Sequence, residues 1–389
     1  MAKPHVIVIG AGSTGCATAH DLVLRGCQVT VVERGDIASA TTGRCSCYRH
    51  TGARYAVNDK ESAVECIEEN KILQHIMPPW VMEENEGVFV LVEGDDPLYG
   101  DHFFDACADC GIEAVEIPPQ VLFDREPNVS RSIRRVAVIH DDAVVEPLRF
   151  ALSFAATARL NGARFLRHTE VKEFVHSGRR VTGLRLYDRV ANRTYDLPAD
   201  MVVNAAGPWA NKVAALAGAR VTLSLSPGIH VIIGARVSHL VLDRMHKPGS
   251  GDFIYPLRNQ SILGTSSWSV QDCDYLHIPP AHIQQMREEC GALVPLVKTL
   301  PAIAINAATR PLVAQPGKSE RELSRRFECF DHAQLDGIEG FVTIAGGKLC
   351  TARAMAEQIS DLACEKLEND TPCQTATYPL VSYRRFYSG

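Results

Sequence analysis

The chain has 389 residues, of which 46% are apolar and 22% charged, and a formal net charge of -6. That length points to two domains, or one with a large insertion, in an ordinary globular protein. The acidic balance gives no reason to expect nucleic-acid binding, and no apolar run approaches the roughly 20 residues that span a bilayer.

"MAKPHVIVIG" enters a strand almost at once, without a signal peptide's apolar core and cleavage site, so a cytoplasmic location is expected. Residues 5–34, "HVIVIGAGSTGCATAHDLVLRGCQVTVVER", read as a buried strand, a glycine turn, an amphipathic helix and a second strand. Gly10 permits the tight turn, Gly12 lets a pyrophosphate come close to the backbone, and Gly15 lets helix and strand pack closely. The helix start, with Ser13 and Thr14, offers unpaired N–H groups to phosphates. Glu33 ends the second strand, where an acidic side chain accepts ribose hydroxyls and repels the extra phosphate of NADP. This unit alone leaves NAD and FAD both open.

"TTGRCSCYRHTGARY", residues 41–55, follows with neither helical nor strand periodicity. Farther on, Cys107 and Cys110 in "FFDACADCGI" mark one face of a helix that ends at Gly111. The thirteen cysteines are scattered through periodic segments, which suits packed, reduced thiols better than a disulfide framework. No second cysteine or histidine pair near Cys107 and Cys110 completes a metal motif. A redox role for Cys45 and Cys47 has nothing to support it.

Two later segments repeat the strand, small-residue turn and helix plan: "ADMVVNAAGPWANKVAAL" and "EGFVTIAGGKLCTARAMAEQISDLACEKL". A cofactor domain assembled from such distant pieces suits the long dinucleotide FAD better than NAD. The expected fold is α/β: a Rossmann-like FAD-binding domain from 1–85, 145–215 and 334–372. A mixed α+β substrate domain with an antiparallel sheet would take 86–144 and 216–333, leaving 373–389 as a tail.

Together, "IGAGSTGCATAHDLVLRG", "VVERGDIASATTGR", "RHTGARYAVNDKESAVECIEENKIL", "DDAVVEPLRF", "VVNAAGPWA", "ATRPLVA", "LSRRFECFDHAQLDGIEGF" and "GGKLCTARAMAE" resemble the FAD-dependent glycerol-3-phosphate dehydrogenases of the D-amino-acid-oxidase-like flavoproteins. The likeness is greatest to the catalytic subunit of the anaerobic, multi-subunit type. It implies oxidation of sn-glycerol 3-phosphate to dihydroxyacetone phosphate, with hydride passing to flavin N5.

By that resemblance, Arg34, Ser39, Thr41, Thr42, Gly43, Ala206, Gly207, Gly346, Gly347 and Leu349 join the first glycines around FAD. Arg54 and Tyr55 would face the substrate. Arg310 and Arg325 would bind its phosphate, with the neighbouring Arg326 leaving the second assignment open by one place. Arg44 and Arg49 read either as charges of a solvated loop or as site residues. His230 and His50 are the two candidates for the base, and His50 also fits a place against the flavin ring. Lys348 would stabilise the negative charge that grows on the reduced flavin, helped by the helix that starts beside it.

Relatives of this type usually continue into a cysteine-rich domain. Here the sequence given stops at "TPCQTATYPLVSYRRFYSG", so electrons are expected to leave to a membrane quinone, oxygen or a partner subunit. "SYRRFYSG" reads as a frayed terminus, with docking to a partner or membrane surface as the alternative. "GRCSCYRH" and "SPGIH" depart from the family's residues beside the pocket. They leave open another small phosphorylated or carboxylated substrate, such as 2-hydroxyglutarate or an amino acid. Further readings are an RNA-modifying flavoprotein, against which the acidic balance speaks, and a non-catalytic flavin-binding subunit.

Overall fold

The computed structural model of the chain describes residues 3–83, 85–315, 317 and 323–388. Met1, Ala2, Glu84 and Gly389 fall outside them, as do 316 and 318–322, so the ends of the expected first segment and tail are not covered. The glycine-turn segments meet in a six-stranded sheet. Its order is Phe327–Asp331, Phe341–Gly346, Met201–Asn204, His5–Ile9, Gln28–Val32 and Arg164–Leu166, parallel throughout except for the first strand.

The strand "HVIVI" is apolar on both faces because both faces are covered. Val6 and Val8 pack with Leu22, Phe154 and Ile359 of the helices Ser13–Leu24, Pro147–Leu160 and Ala352–Lys366. Ile7 and Ile9 face Phe174, Leu184 and Leu186 of an antiparallel three-stranded sheet, Thr169–Ser177, Arg180–Asp188 and Arg193–Pro198.

A second sheet of eight strands stands beside the first. It runs Ala302–Val313, Leu223–Ile233, Gln260–Gly264, Phe253–Leu257, Val241–Arg244, Gly87–Val92, Ile133–Ile139 and Val115–Ile117. Its pairs are antiparallel apart from Val241–Arg244 with Gly87–Val92. The expected break at 334 cuts through a ladder. Phe327–Asp331 pairs antiparallel with Phe341–Gly346 in the first sheet, the two joined through the short helix His332–Leu335.

The last segment is packed, contrary to the frayed reading. Leu380 N–H donates to the Ile76 carbonyl, Arg159 donates to the Phe386 carbonyl, and Phe386, 3% exposed, sits edge-on to Phe165. Among the described residues, no helix is long and apolar enough to cross a membrane.

Candidate active site

The turn after the first strand has Gly10 at φ +102°, a conformation that favours glycine. A Cβ there would stand 2.6 Å from the Ala205 carbonyl oxygen, so the first and second glycine turns meet backbone to backbone. Gly15 lies off the cavity wall and acts in packing: a side chain would run into the Gly10 carbonyl. Gly43 is also off the wall, against the Ala38 carbonyl, so its expected contact with cofactor is replaced by a backbone one. Glu33 accepts from the N–H groups of Ala11 (2.9 Å) and Gly35 (2.7 Å), which fixes its carboxylate at the end of the second strand. Ser13 N–H donates to the Thr42 hydroxyl at 3.0 Å, and the Thr41 hydroxyl donates to the Thr309 carbonyl at 2.9 Å. The "TTG" stretch is therefore tied to the first helix on one side and the second sheet on the other.

One cavity of about 1550 Å³ runs between the two sheets. Gly10, Gly12, Ser13, Thr14, Glu33, Arg34, Ser39, Thr41, Thr42, Ala206, Gly207, Gly346, Gly347, Lys348 and Leu349 line one part of it. His50, Arg54, Tyr55, Arg310, Arg325 and Arg326 line another. Gly346 (φ +91°) and Gly347 (φ +71°) make the third close turn, and a Cβ at Gly346 would lie 2.5 Å from the Arg326 carbonyl oxygen.

Lys348, 8% exposed at its side chain, donates to Glu65 (3.2 Å) and to the Arg325 carbonyl (2.9 Å). Burial opposes its charge, but Cys66, Cys350, Tyr55 and Glu65 around it keep the ammonium above its usual pKa. Arg310 extends from Ala302–Val313 and donates to the carbonyls of Ser226, Pro227 and Ser266 and to the Thr265 hydroxyl at 3.0 Å. Those contacts aim its planar fork. Arg326 pairs with Glu61 at the surface, while Arg325 lies deeper with its N–H on Asp59.

Three expectations change. Arg54 reaches the cavity wall, but its two ends bind Asp243 (2.5 Å) and Asp252 (2.6 Å), carboxylates 189 and 198 residues away. Burial opposes the charge of Asp252, yet Arg54 holds its pKa down to about 2; burial raises Asp243 to about 7 despite the same arginine. With its charge met by carboxylates, Arg54 orients the loop more than it offers a phosphate receptor. His230 sits in mid-strand, opposite Asn306 and Gly264, 5% exposed and absent from the cavity lining. Its Nε2 is 3.3 Å from the Ser46 hydroxyl, and burial first, then Arg310, lowers its pKa to about 3. His50 does line the cavity, between the rings of Tyr48 and Tyr55. Arg49 is buried on Asn70, so it is no solvated loop charge, whereas Arg44 lines the cavity.

Sequence reading missed Trp209, whose ring lies 4.2 Å beneath the Arg34 guanidinium, and Asp274, which accepts from the indole at 2.5 Å. It also missed Asp142, which anchors the "RHTG" loop through Tyr48 and the Thr51 N–H. "GPW" gave a faint signal for the first; nothing in sequence pointed to the aspartates.

Three left-handed or close turns, a helix start and an acidic strand end around one elongated cavity fit a dinucleotide whose far end reaches the second sheet. That is the arrangement of a flavoprotein oxidoreductase. Residues 5–362 match the family of FAD dependent oxidoreductases, and the chain belongs to it. It is similar to one subunit of the anaerobic glycerol-3-phosphate dehydrogenase of Haemophilus influenzae, 37% identical over 378 residues, covering 96% of this chain and 67% of the relative. The fold is shared with a glycerol-3-phosphate dehydrogenase from Bacillus halodurans complexed with FAD (TM-score 0.73, 22% identity, 97% of this chain and 68% of that one). It is also shared with L-alpha-glycerophosphate oxidase from Mycoplasma pneumoniae with FAD bound (TM-score 0.77, 18% identity, 98% and 100%).

Proposed function

We propose that this FAD-dependent oxidoreductase oxidises sn-glycerol 3-phosphate to dihydroxyacetone phosphate and passes the electrons to a partner protein or a membrane quinone. The observation that carries the reading is the meeting of Arg310 and Lys348 with the dinucleotide cradle in one cavity, in a chain 37% identical to a protein named for that substrate. Bound FAD supplies the two-electron acceptor for hydride leaving the carbinol carbon.

The chain's own groups do the rest. Arg310, held by the carbonyls around it, supplies a fixed positive charge on the cavity wall for a phosphate dianion. Arg325 adds charge from the same cavity lining. Lys348 holds positive charge beside the third glycine turn, where negative charge develops on reduction. His50, on the cavity wall, takes the hydroxyl proton; His230, depressed to about pKa 3 and off the wall, is the poorer base. Arg54 holds the loop carrying His50 and Tyr55 against Asp243 and Asp252.

The test is anaerobic mixing of the yellow protein with a small donor panel. Glycerol 3-phosphate should bleach the flavin and 2-hydroxyglutarate should leave it oxidised. The reverse pattern would assign the site to hydroxy acids, and bleaching by neither would leave a non-catalytic flavin subunit.

A further inference from the structure

Three chemistry-bearing side chains converge behind the cavity wall from separate elements. His50 follows the short strand Tyr48–Arg49, Cys66 lies within the helix Lys60–Ile76, and Cys350 stands in the turn just before Ala352–Lys366. The Cys350 Sγ is 3.6 Å from His50 Nε2 and 3.9 Å from the Cys66 Sγ, and the three ligand atoms all lie within 4.8 Å of one another. Gly52 (φ +98°) makes this approach possible: a Cβ there would come 2.7 Å from the Ala63 carbonyl oxygen and 3.0 Å from the Cys66 Cβ.

These separations have a meaning. With Zn–S near 2.3 Å and Zn–N near 2.0–2.1 Å, a tetrahedral ion sets S···S edges of about 3.8 Å and S···N edges of about 3.6 Å. Both recorded edges fit. Both thiols are buried and His50 is half-buried, so the ligands are already gathered and largely desolvated.

We propose that His50, Cys66 and Cys350 form a site for a soft divalent cation of the zinc class. Binding replaces two thiol protons, released to solvent, with two metal–sulfur bonds and one bond from the His50 imidazole. The resulting unit of one dication, two thiolates and a neutral imidazole has no net charge, which suits a buried place. Three protein ligands leave the fourth tetrahedral position to water, the pattern of exchangeable sites more than of sealed structural ones.

The ion also engages the cavity. It occupies the lone pair of His50 and fixes the turn that carries Lys348 and Leu349, all three of them on the wall. Zinc is thus an inhibitor of substrate oxidation; this consequence rests on the proposed function, whereas the binding site does not.

The experiment uses FAD-loaded protein stripped with chelator under a thiol-free reductant. Cadmium titration, followed by thiolate-to-metal charge-transfer absorption, should saturate at one ion per chain, and zinc should displace it. Cys66→Ala and Cys350→Ala should each weaken zinc binding, read with a competing chromophoric chelator, on the order of a hundredfold. Cys107→Ala, a buried thiol elsewhere, should bind as the parent does. Retained flavin absorbance and melting temperature establish that the variants fold. Unchanged affinity in both Cys66→Ala and Cys350→Ala would overturn the site, as would recovery of a Cys66–Cys350 disulfide by mass spectrometry in protein that takes up no cadmium. If cadmium binds but glycerol 3-phosphate bleaches neither metal-free nor metal-loaded flavin, the site stands and the substrate reading fails. If bleaching proceeds equally with and without zinc, the site stands and inhibition through it is overturned.

Discussion

In the proposed reaction, substrate recognition turns on one guanidinium, that of Arg310. Carbonyls of Ser226, Pro227 and Ser266 orient it, and it lines the cavity. Arg310→Ala should raise the half-saturating glycerol 3-phosphate concentration by about 30-fold or more, since truncating one member of a buried charge pair costs roughly 2–4 kcal/mol. The limiting bleaching rate should change far less. Lys348→Met should do the opposite: a limiting rate lowered on the order of a hundredfold, as for removal of one preorganised donor, with modest change in half-saturation. Stopped-flow bleaching curves across donor concentration separate the two. That Arg310 and Lys348 fall on the wall of one cavity follows motifs that are short and local. The carboxylates that hold Arg54 were not legible for the opposite reason: Asp243 and Asp252 lie nearly 200 residues away and carry no local signature.

Elements show the same contrast. The first and third strand-to-helix turns announce themselves because a left-handed glycine against a neighbouring backbone, as at Gly10 and Gly346, has no substitute. Gly346→Val should yield protein that does not retain FAD, seen as loss of the yellow absorbance after desalting, because its Cβ would meet the Arg326 carbonyl. The C-terminal segment is the counter-case. Its aromatic and basic residues read as a frayed end, yet Phe386 packs on Phe165 and the short helix that it ends, Tyr383–Phe386, lies along Pro147–Leu160. Phe386→Ala should lower unfolding stability by about 3 kcal/mol, measured as a shifted urea midpoint at unchanged slope. A shift below a few tenths of a kcal/mol would return the segment to the frayed class.

For the whole molecule, the buried histidines His20 and His230 each make the fold less stable in acid. His20 has both ring nitrogens buried without a partner among the described residues, between Phe154 and Tyr378, and burial lowers its pKa to about 4. His230 is lowered to about 3 by burial and Arg310. A lowered folded-state pKa means the unfolded chain binds the proton more readily. Stability is therefore full above the unfolded value near 6.5 and falls as pH drops from there toward 4 and then 3. His20 alone contributes about 3 kcal/mol to that loss. Between about pH 7 and about pH 5 the parent's urea midpoint should fall relative to that of His20→Leu; parallel pH dependences in the two proteins would remove His20 as a source of acid sensitivity.

Local backbone demands determined what could be read directly: the glycine turns, the acidic strand end, the apolar strands covered on both faces, and so the dinucleotide-binding class. A φ of +102° or a backbone in van der Waals contact leaves its mark on the residue type at that one position. Only the tertiary structure decided which ionisable groups answer one another. It set Arg54 on two aspartates, took His230 off the cavity wall, and drew His50, Cys66 and Cys350 together. The physical reason is that charge pairing and ligand gathering depend on distance in space, and chain-distant partners constrain neither spacing nor periodicity along the sequence.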